Sequence, residues 1–254
     1  MSKELDGAKQ KLRRVRLSES QIEAVEAPAV AVETGTVKGA KLHRLELGEV
    51  LLREASGVGI RVENCALTEV ALDDVDLGNG DWVNVNLQRT RLKDADWSEG
   101  ELVDVSWAAS RWEDVNLDRA TWKNVRFTDG EITDASLAQT RLSNVDLNRS
   151  KWADVNVSGA ELRNIDGSKM SLDDVSLAET RFQNCSCRGT RWHDVDFAGA
   201  DLEDCSFEGA SLRNVSFRNV ALEDVDLEGM TIDGVAIAPL LSGASPDDET
   251  SSGE

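Results

Sequence analysis

Residues 97–127 read WSEGELVDVSWAASRWEDVNLDRATWKNVRF, and in that stretch Trp97, Leu102, Trp107, Trp112, Leu117, Trp122 and Phe127 follow one another at intervals of five. The same frame extends outward from Val62 to Ile237. It has 36 positions, of which 34 carry Leu, Ile, Val, Phe or Trp, the exceptions being Gly167 and Cys187. All 7 Trp and all 5 Phe of the chain lie in this phase. A weaker trace through Val32, Val37, Leu42, Leu47 and Leu52 runs upstream. An unbroken short period marks a repeat architecture, in which each unit buries its apolar residue against the next.

Five is the wrong period for either regular element. On an α-helix successive positions rotate by ~140° and share no face. Along a flat strand an odd period sends alternate residues to opposite faces. The chain must therefore turn about every five residues, always the same way, as a coil wound around an apolar axis. Two residues after the apolar centre, every second repeat carries Asp or Asn, from Asn64 through Asp74 and Asn84 to Asp224. Between Asp114 and Asp194 the two identities alternate strictly, so equivalent positions recur every twenty residues. That is four sides. Stacked at strand spacing of ~4.8 Å, residues 60–239 make a rod of roughly 43 Å.

The segments Val195-Asp196-Phe197-Ala198-Gly199, Ala200-Asp201-Leu202-Glu203-Asp204 and Ala160-Glu161-Leu162-Arg163-Asn164 resemble the pentapeptide-repeat proteins, whose consensus is A-[DN]-L-x-x. The resemblance implies an all-β, right-handed quadrilateral β-helix with both the small residue and the large centre facing inward. This chain departs from the consensus in two ways. The small position alternates Val75, Val85, Val105 and Val115 with Gly80, Thr90, Gly100 and Ser110, and seven centres are Trp. Close packing requires bulk to be compensated locally. Trp112, Ile132, Trp152, Leu172 and Trp192 alternate large with smaller along one side, and Gly167 is flanked by the oversized Ile165 and Met170. The aromatic residues are therefore expected in the core, not on a base-stacking platform.

Four regions are expected. Residues 1–29 form either a cap or a first in-phase coil: Leu5, Ala8, Leu12 and Val15 have helical spacing, suggesting a short cap helix, whereas Leu12, Leu17 and Ile22 fit the five-residue frame. Residues 30–59 carry weaker repeats and 60–241 the regular β-helix. Residues 242–254 are polar and acidic and are expected to be disordered. Ile237, Pro239, Leu240 and Leu241 would close the last coil or pair it with another chain.

Catalysis finds little support. The only histidines, His43 and His193, are 150 residues apart at outward positions, Tyr is absent, and no nucleophile elbow, phosphate-binding Gly loop or HExxH occurs. Neither a cofactor nor a metal is expected, and catalytic residues are none. Cys65, Cys185 and Cys205 occupy small inward positions and Cys187 a centre, which suits structural thiols. With no apolar leader and no membrane-length stretch, the expected location is cytoplasmic.

The net charge of −20 disfavours direct binding to nucleic acid. Across residues 80–239 the four sides carry −5, −1, −4 and −3, so no side dominates. The sharper feature is a column: Asp74, Asp94, Asp114, Asp134, Asp154, Asp174 and Asp194 should stack on one edge, with Asn mostly on the opposite edge. Amides stack favourably because they both donate and accept, while carboxylates ~4.8 Å apart repel by roughly 0.9 kcal/mol even in water. Capping of turn N–H groups, and Arg91, Arg111, Lys151 and Arg191 three residues before acidic members, are the expected offsets. The candidate partner-binding ladder is Asp94, Asp114, Asp134, Asp154, Asp174 and Asp194.

The resemblance adds a specific partner, because some pentapeptide-repeat proteins bind DNA gyrase or topoisomerase IV by imitating duplex DNA. Those members typically dimerise through a segment beyond the last coil, which here comprises only Leu240, Leu241 and a polar tail. The sequence thus leads to a protein-binding or scaffold module acting through the surface of an acidic rod. The alternative is a DNA-mimicking modulator or protector of DNA gyrase or topoisomerase IV. A second docking surface would be the flat side containing Ala138, Ser158, Gly159, Ala178, Ala198 and Gly199. A monomer and an end-to-end homodimer both fit.

Overall fold

The computed structural model describes residues 10–18, 21–23, 26–38, 41–44 and 46–241. They form an all-β parallel solenoid with almost no helix, of which the regular part, residues 60–239, makes about nine turns. Strands pair with those twenty residues away, so that Leu102 lies beside Trp82 and Trp122, and Ile132 beside Trp112 and Trp152. The period read from the Asp and Asn column is therefore the length of one coil.

The coil turns because every fifth backbone unit is left-handed. Around one circuit these are Asp114 (φ 53°), Arg119 (φ 60°), Asn124 (φ 54°) and Asp129 (φ 56°). Two kinds of corner alternate. In the tight kind, Ala120 N–H donates to Leu117 O at 3.0 Å, and Gly80 and Ser150 N–H bond the carbonyls of Leu77 and Leu147 in the same way. A bond across four residues with positive φ at the third is a type II turn. In the wide kind the strand runs on through the bend, as Arg111–Asn116 does through Asp114. The small inward residue follows the tight corner and Val the wide one. This is the physical origin of the Val/small alternation in the sequence.

Both corners need a residue that tolerates positive φ, and Asn and Asp are among the better non-glycine ones. Yet the tight corners carry Arg89, Glu99, Ala109 and Gln139 at that φ, while the wide corners carry only Asp or Asn from Asn64 to Asp224. The backbone alone does not impose the wide-corner rule. Its second cause lies in the side chains.

The tube is filled by the centres. Trp97, Trp107, Trp112, Trp122 and Phe127 are fully buried. Their rings meet edge to face at 5.5 Å (Trp97–Trp107), 5.0 Å (Trp107–Trp112), 5.6 Å (Trp112–Trp122) and 4.7 Å (Trp112–Phe127). Such pairs contribute beyond their buried area. Bulk is balanced within single corners: a Cβ on Gly100 would lie 2.5 Å from Trp97 Cδ1, one on Gly130 2.2 Å from Phe127 Cε1, and one on Gly167 2.9 Å from Met170 Sδ. Gly167 is thus a centre whose volume has moved to the following inward residue, as its neighbours suggest.

At the N-terminal end, Gln10–Ser18 is a strand paired in parallel with Glu26–Lys38, aligning Leu12 with Val32 and Leu17 with Val37. The cap helix suggested by Leu5, Ala8, Leu12 and Val15 is corrected where it overlaps this strand: the five-residue frame prevails over the helical spacing, because in-register pairing satisfies backbone groups that a lone turn of helix leaves open. Residues 1–9, including Leu5 and Ala8, lie outside the described residues, as do 242–254 with their expected disorder. At the other end, Thr231–Ile232 and Val235–Ala236 pair antiparallel and lead into the helix Ala238–Leu241. These leave Leu222, Val235 and Leu240 half-exposed.

A candidate docking edge

The wide corners form two columns on opposite edges of the square, and their side chains behave differently. On one edge the amides form a ladder: Asn84 donates to Asn64 (2.7 Å), Asn124 to Asp104 (2.8 Å), Asn144 to Asn124 (3.0 Å), Asn164 to Asn144 (2.9 Å) and Asn184 to Asn164 (2.7 Å). This is the side-chain reason for Asn at that corner. From Asn124 to Asn164 each amide gives one hydrogen and accepts another, so this stretch of the column satisfies itself.

The opposite edge has no such solution. Asp94, Asp114, Asp134, Asp154 and Asp174 line an open groove of about 680 Å³, and the carboxylates of Asp94, Asp114 and Asp134 make no hydrogen bond or ion pair among the described residues. The facing wall contains Asp96, Asn116, Ser136 and Asn156. There, Asp96 accepts Ser98 N–H at 2.8 Å and Asn116 accepts Asp118 N–H at 3.1 Å. One wall is occupied in holding the turns, and the other is left uncovered.

The expected offsets are therefore redistributed. Turn N–H groups are capped by residues two places beyond the column, at Asp76, Asp96, Asn116, Asp146, Asn156, Asp166, Asp196 and Asp226, and not by the column itself. An Asx side chain two residues before the N–H it caps is the local signal that marks this role. The cations face elsewhere too. Arg111 and Lys151 both bind Glu131, the latter at 3.1 Å, while Arg91 and Arg191 form no ion pair among the described residues. Asp194 departs from the rest of the predicted ladder, since it lies beside His193 (3.1 Å) and accepts from Asn214 Nδ2.

Elsewhere the surface pairs one coil with the next. Arg149 holds Asp129 at 2.7 Å, Arg119 holds Glu99 at 2.8 Å and Lys93 holds Glu113 at 3.0 Å. Each such exposed pair contributes little, typically ~0–1 kcal/mol. Their protonation behaviour still separates them from Asp154. Hydrogen bonds from Arg149 to Asp129, from Lys93 to Glu113, and from Arg111 and Lys151 to Glu131 hold these carboxyls below their ordinary pKa. Asp154 moves the other way. Partial desolvation first, then the charges of Asp134 and Asp174, raise it above the ordinary Asp value. Desolvation and like charge both act in that direction, and no cation offsets them at Asp154.

The four cysteines lie in the core of the tube. Cys65, Cys185, Cys187 and Cys205 are buried and form no disulfide among the described residues, and burial, then the nearby Cys205 and Asp166, pushes the Cys187 thiol up. Protonated thiols in apolar surroundings are poor nucleophiles. No helix among the described residues is long and apolar enough to cross a membrane.

Comparison with known proteins bears on the coil itself. The family model "Pentapeptide repeats" matches residues 193–229. Among solved structures, HetL, a pentapeptide-repeat protein involved in heterocyst differentiation regulation from the cyanobacterium Nostoc sp. strain PCC 7120, is 18% identical. That match covers 90% of this chain and 94% of HetL with a TM-score of 0.45. QnrB1, a plasmid-mediated fluoroquinolone resistance protein, is 15% identical over 84% of this chain and 97% of its own, with a TM-score of 0.49. The A-module of the mannuronan C-5 epimerase AlgE4 from Azotobacter vinelandii is 11% identical over 89% and 88%, with a TM-score of 0.27. A comparison with curated protein sequences gives no match.

Proposed function

We propose that this chain, whose residues 193–229 match the pentapeptide-repeat model, is a non-catalytic binding rod whose docking element is the edge formed by Asp94, Asp114, Asp134, Asp154 and Asp174. The observation that carries this reading is the contrast between two columns: in one, Asn124, Asn144 and Asn164 satisfy each other through amides, and in the other Asp94, Asp114 and Asp134 line a groove with no cation or hydrogen-bond partner among the described residues. A row of like charges is costly to the isolated rod and favourable to a partner that supplies the cations. A basic protein groove meets that need, and the encounter would be fast and salt-sensitive.

The specific form suggested by the family is imitation of DNA towards DNA gyrase or topoisomerase IV. Line charge separates the two forms. Duplex DNA carries one charge per ~1.7 Å of axis, whereas the ladder offers one per coil, about 4.8 Å. The match to a duplex is partial, which favours the broader reading of docking to a basic protein surface over close mimicry.

The test is the triple variant Asp134→Asn, Asp154→Asn and Asp174→Asn. Asn accepts the same positive φ and stacks as Asn124, Asn144 and Asn164 already do, so the rod stays folded. Quantitative capture with wild type and variant should lose partners in the variant and at raised salt. Undiminished capture by the variant would remove the ladder from the account. Supercoiling assays with purified gyrase and topoisomerase IV decide the specific form: no effect of micromolar wild-type protein eliminates it.

A further inference from the structure

The C-terminal end of the acidic column holds an arrangement that the docking role does not use. Strands Ser171–Ser176 and Arg191–Asp196 pair in parallel with Asp173 opposite His193. Their outward side chains stack, placing Asp173 Oδ1 2.7 Å from His193 Nδ1. Asp194 follows His193 directly, and consecutive residues of a regular strand point to opposite faces. Here the left-handed φ of 51° at Asp194 bends the chain, and its Oδ2 lies 3.1 Å from the same Nδ1. The three donor atoms all lie within 4.8 Å of one another.

We propose that Asp173, His193 and Asp194 form a binding site for a divalent transition-metal ion of the zinc or cobalt class. One imidazole nitrogen with two carboxylate oxygens is a donor set suited to such ions, while calcium and magnesium favour all-oxygen sets. Metal–nitrogen and metal–oxygen bonds of about 2.0–2.2 Å place tetrahedral donors ~3.4 Å apart. To admit the ion the exposed carboxylates must draw back from the imidazole nitrogen, that of Asp173 by ~0.7 Å and that of Asp194 by ~0.3 Å, and water completes the shell.

A second feature supports the assignment. Asn214 Nδ2 donates to Asp194 Oδ1, the oxygen that does not face the imidazole. Outer partners of this kind orient a ligand and leave its other lone pairs for the metal. Arg213 lies opposite His193 on the next coil and opposes a cation there. Asp174, one coil from Asp194 on the same column, opposes it in turn. The site uses no catalytic chemistry and does not depend on the docking role of the ladder.

The experiment is calorimetric titration of the full chain with cobalt(II) and with zinc(II), together with visible absorption of the cobalt form. Wild type should bind one ion per chain in a histidine-dependent manner. His193→Ala and Asp173→Asn should each weaken that binding at least tenfold, and His43→Ala should leave it unchanged. Because His193 and Asp173 are exposed, the variants retain the wild-type unfolding transition, which circular dichroism checks. Saturable binding that survives His193→Ala, equal loss in His43→Ala, or no binding at millimolar metal would each overturn the assignment.

Discussion

Trp107→Ala is expected to lower the free energy of unfolding by about 3–5 kcal/mol, the range for truncating a large aromatic residue in a core. Trp107 is fully buried and touches Trp82 at 6.0 Å, Trp97 at 5.5 Å and Trp112 at 5.0 Å, so one deletion opens three ring contacts. A tube of fixed strand pairing cannot collapse to refill the space, which places the loss high in the range. One effect opposes it. The Trp107 indole N–H is buried without a hydrogen-bond partner, and such a group costs ~1–3 kcal/mol. Trp107→Phe removes that donor and keeps a ring, so its loss should stay below about 1.5 kcal/mol. Denaturant unfolding of both variants checks the pair; equal losses would show that the indole contacts contribute nothing particular.

Gly100→Ala is the second large effect, and its sign is informative. Gly100 is not among the residues of positive φ. At such a site alanine normally stabilises by ~0.4–1 kcal/mol, through the entropy of the unfolded chain. Here the new methyl would lie 2.5 Å from Trp97 Cδ1, 2.8 Å from Trp97 Nε1 and 2.9 Å from the backbone oxygen of Gly80. Trp97 cannot yield, because Trp82 packs 4.4 Å away on one side and Trp107 lies on the other. Overpacking of this kind costs about 1–3 kcal/mol and outweighs the gain, so the midpoint of thermal unfolding should fall. A rise would show that corner volume is not balanced as described.

The architecture was largely legible in the sequence because one physical demand recurs at every turn. Trp97, Leu102, Trp107 and Trp112 could share an interior only if the chain bent between them. The alternation of Asp and Asn reported the four sides. Gly167 beside Met170 reported local exchange of volume. The helical spacing of Leu12 and Val15 misled, because a short stretch can satisfy two periods and only pairing with Val32 and Gly35 selects one.

The candidate site was legible in position but not in state. Register places Asp134, Asp154 and Asp174 in one column, whereas their lack of cations depends on where long side chains turn. Arg111 and Lys151 turn to Glu131, and sequence spacing does not encode that choice. The caps at Asp96 and Asn116 carried a readable signal, an Asx residue two places before a turn N–H. The approach of Asp173 to His193 is hidden at a separation of twenty until the coil length is used to align them.

The central claim is that the acidic edge lacks compensating charge in the free protein, and Asp154 reports it directly. Its folded pKa is raised, so the folded state binds the proton more readily than the unfolded chain. The stability this contributes is present below the ordinary Asp pKa and is lost as pH rises through the raised value. Titration of the Asp154 carboxyl carbon by NMR, at low and high salt and in the Asp134→Asn, Asp174→Asn background, is the decisive measurement. The account predicts a value above that of an ordinary Asp which falls towards it on adding salt or removing the two neighbours. A value at or below the ordinary one, insensitive to both changes, would contradict it.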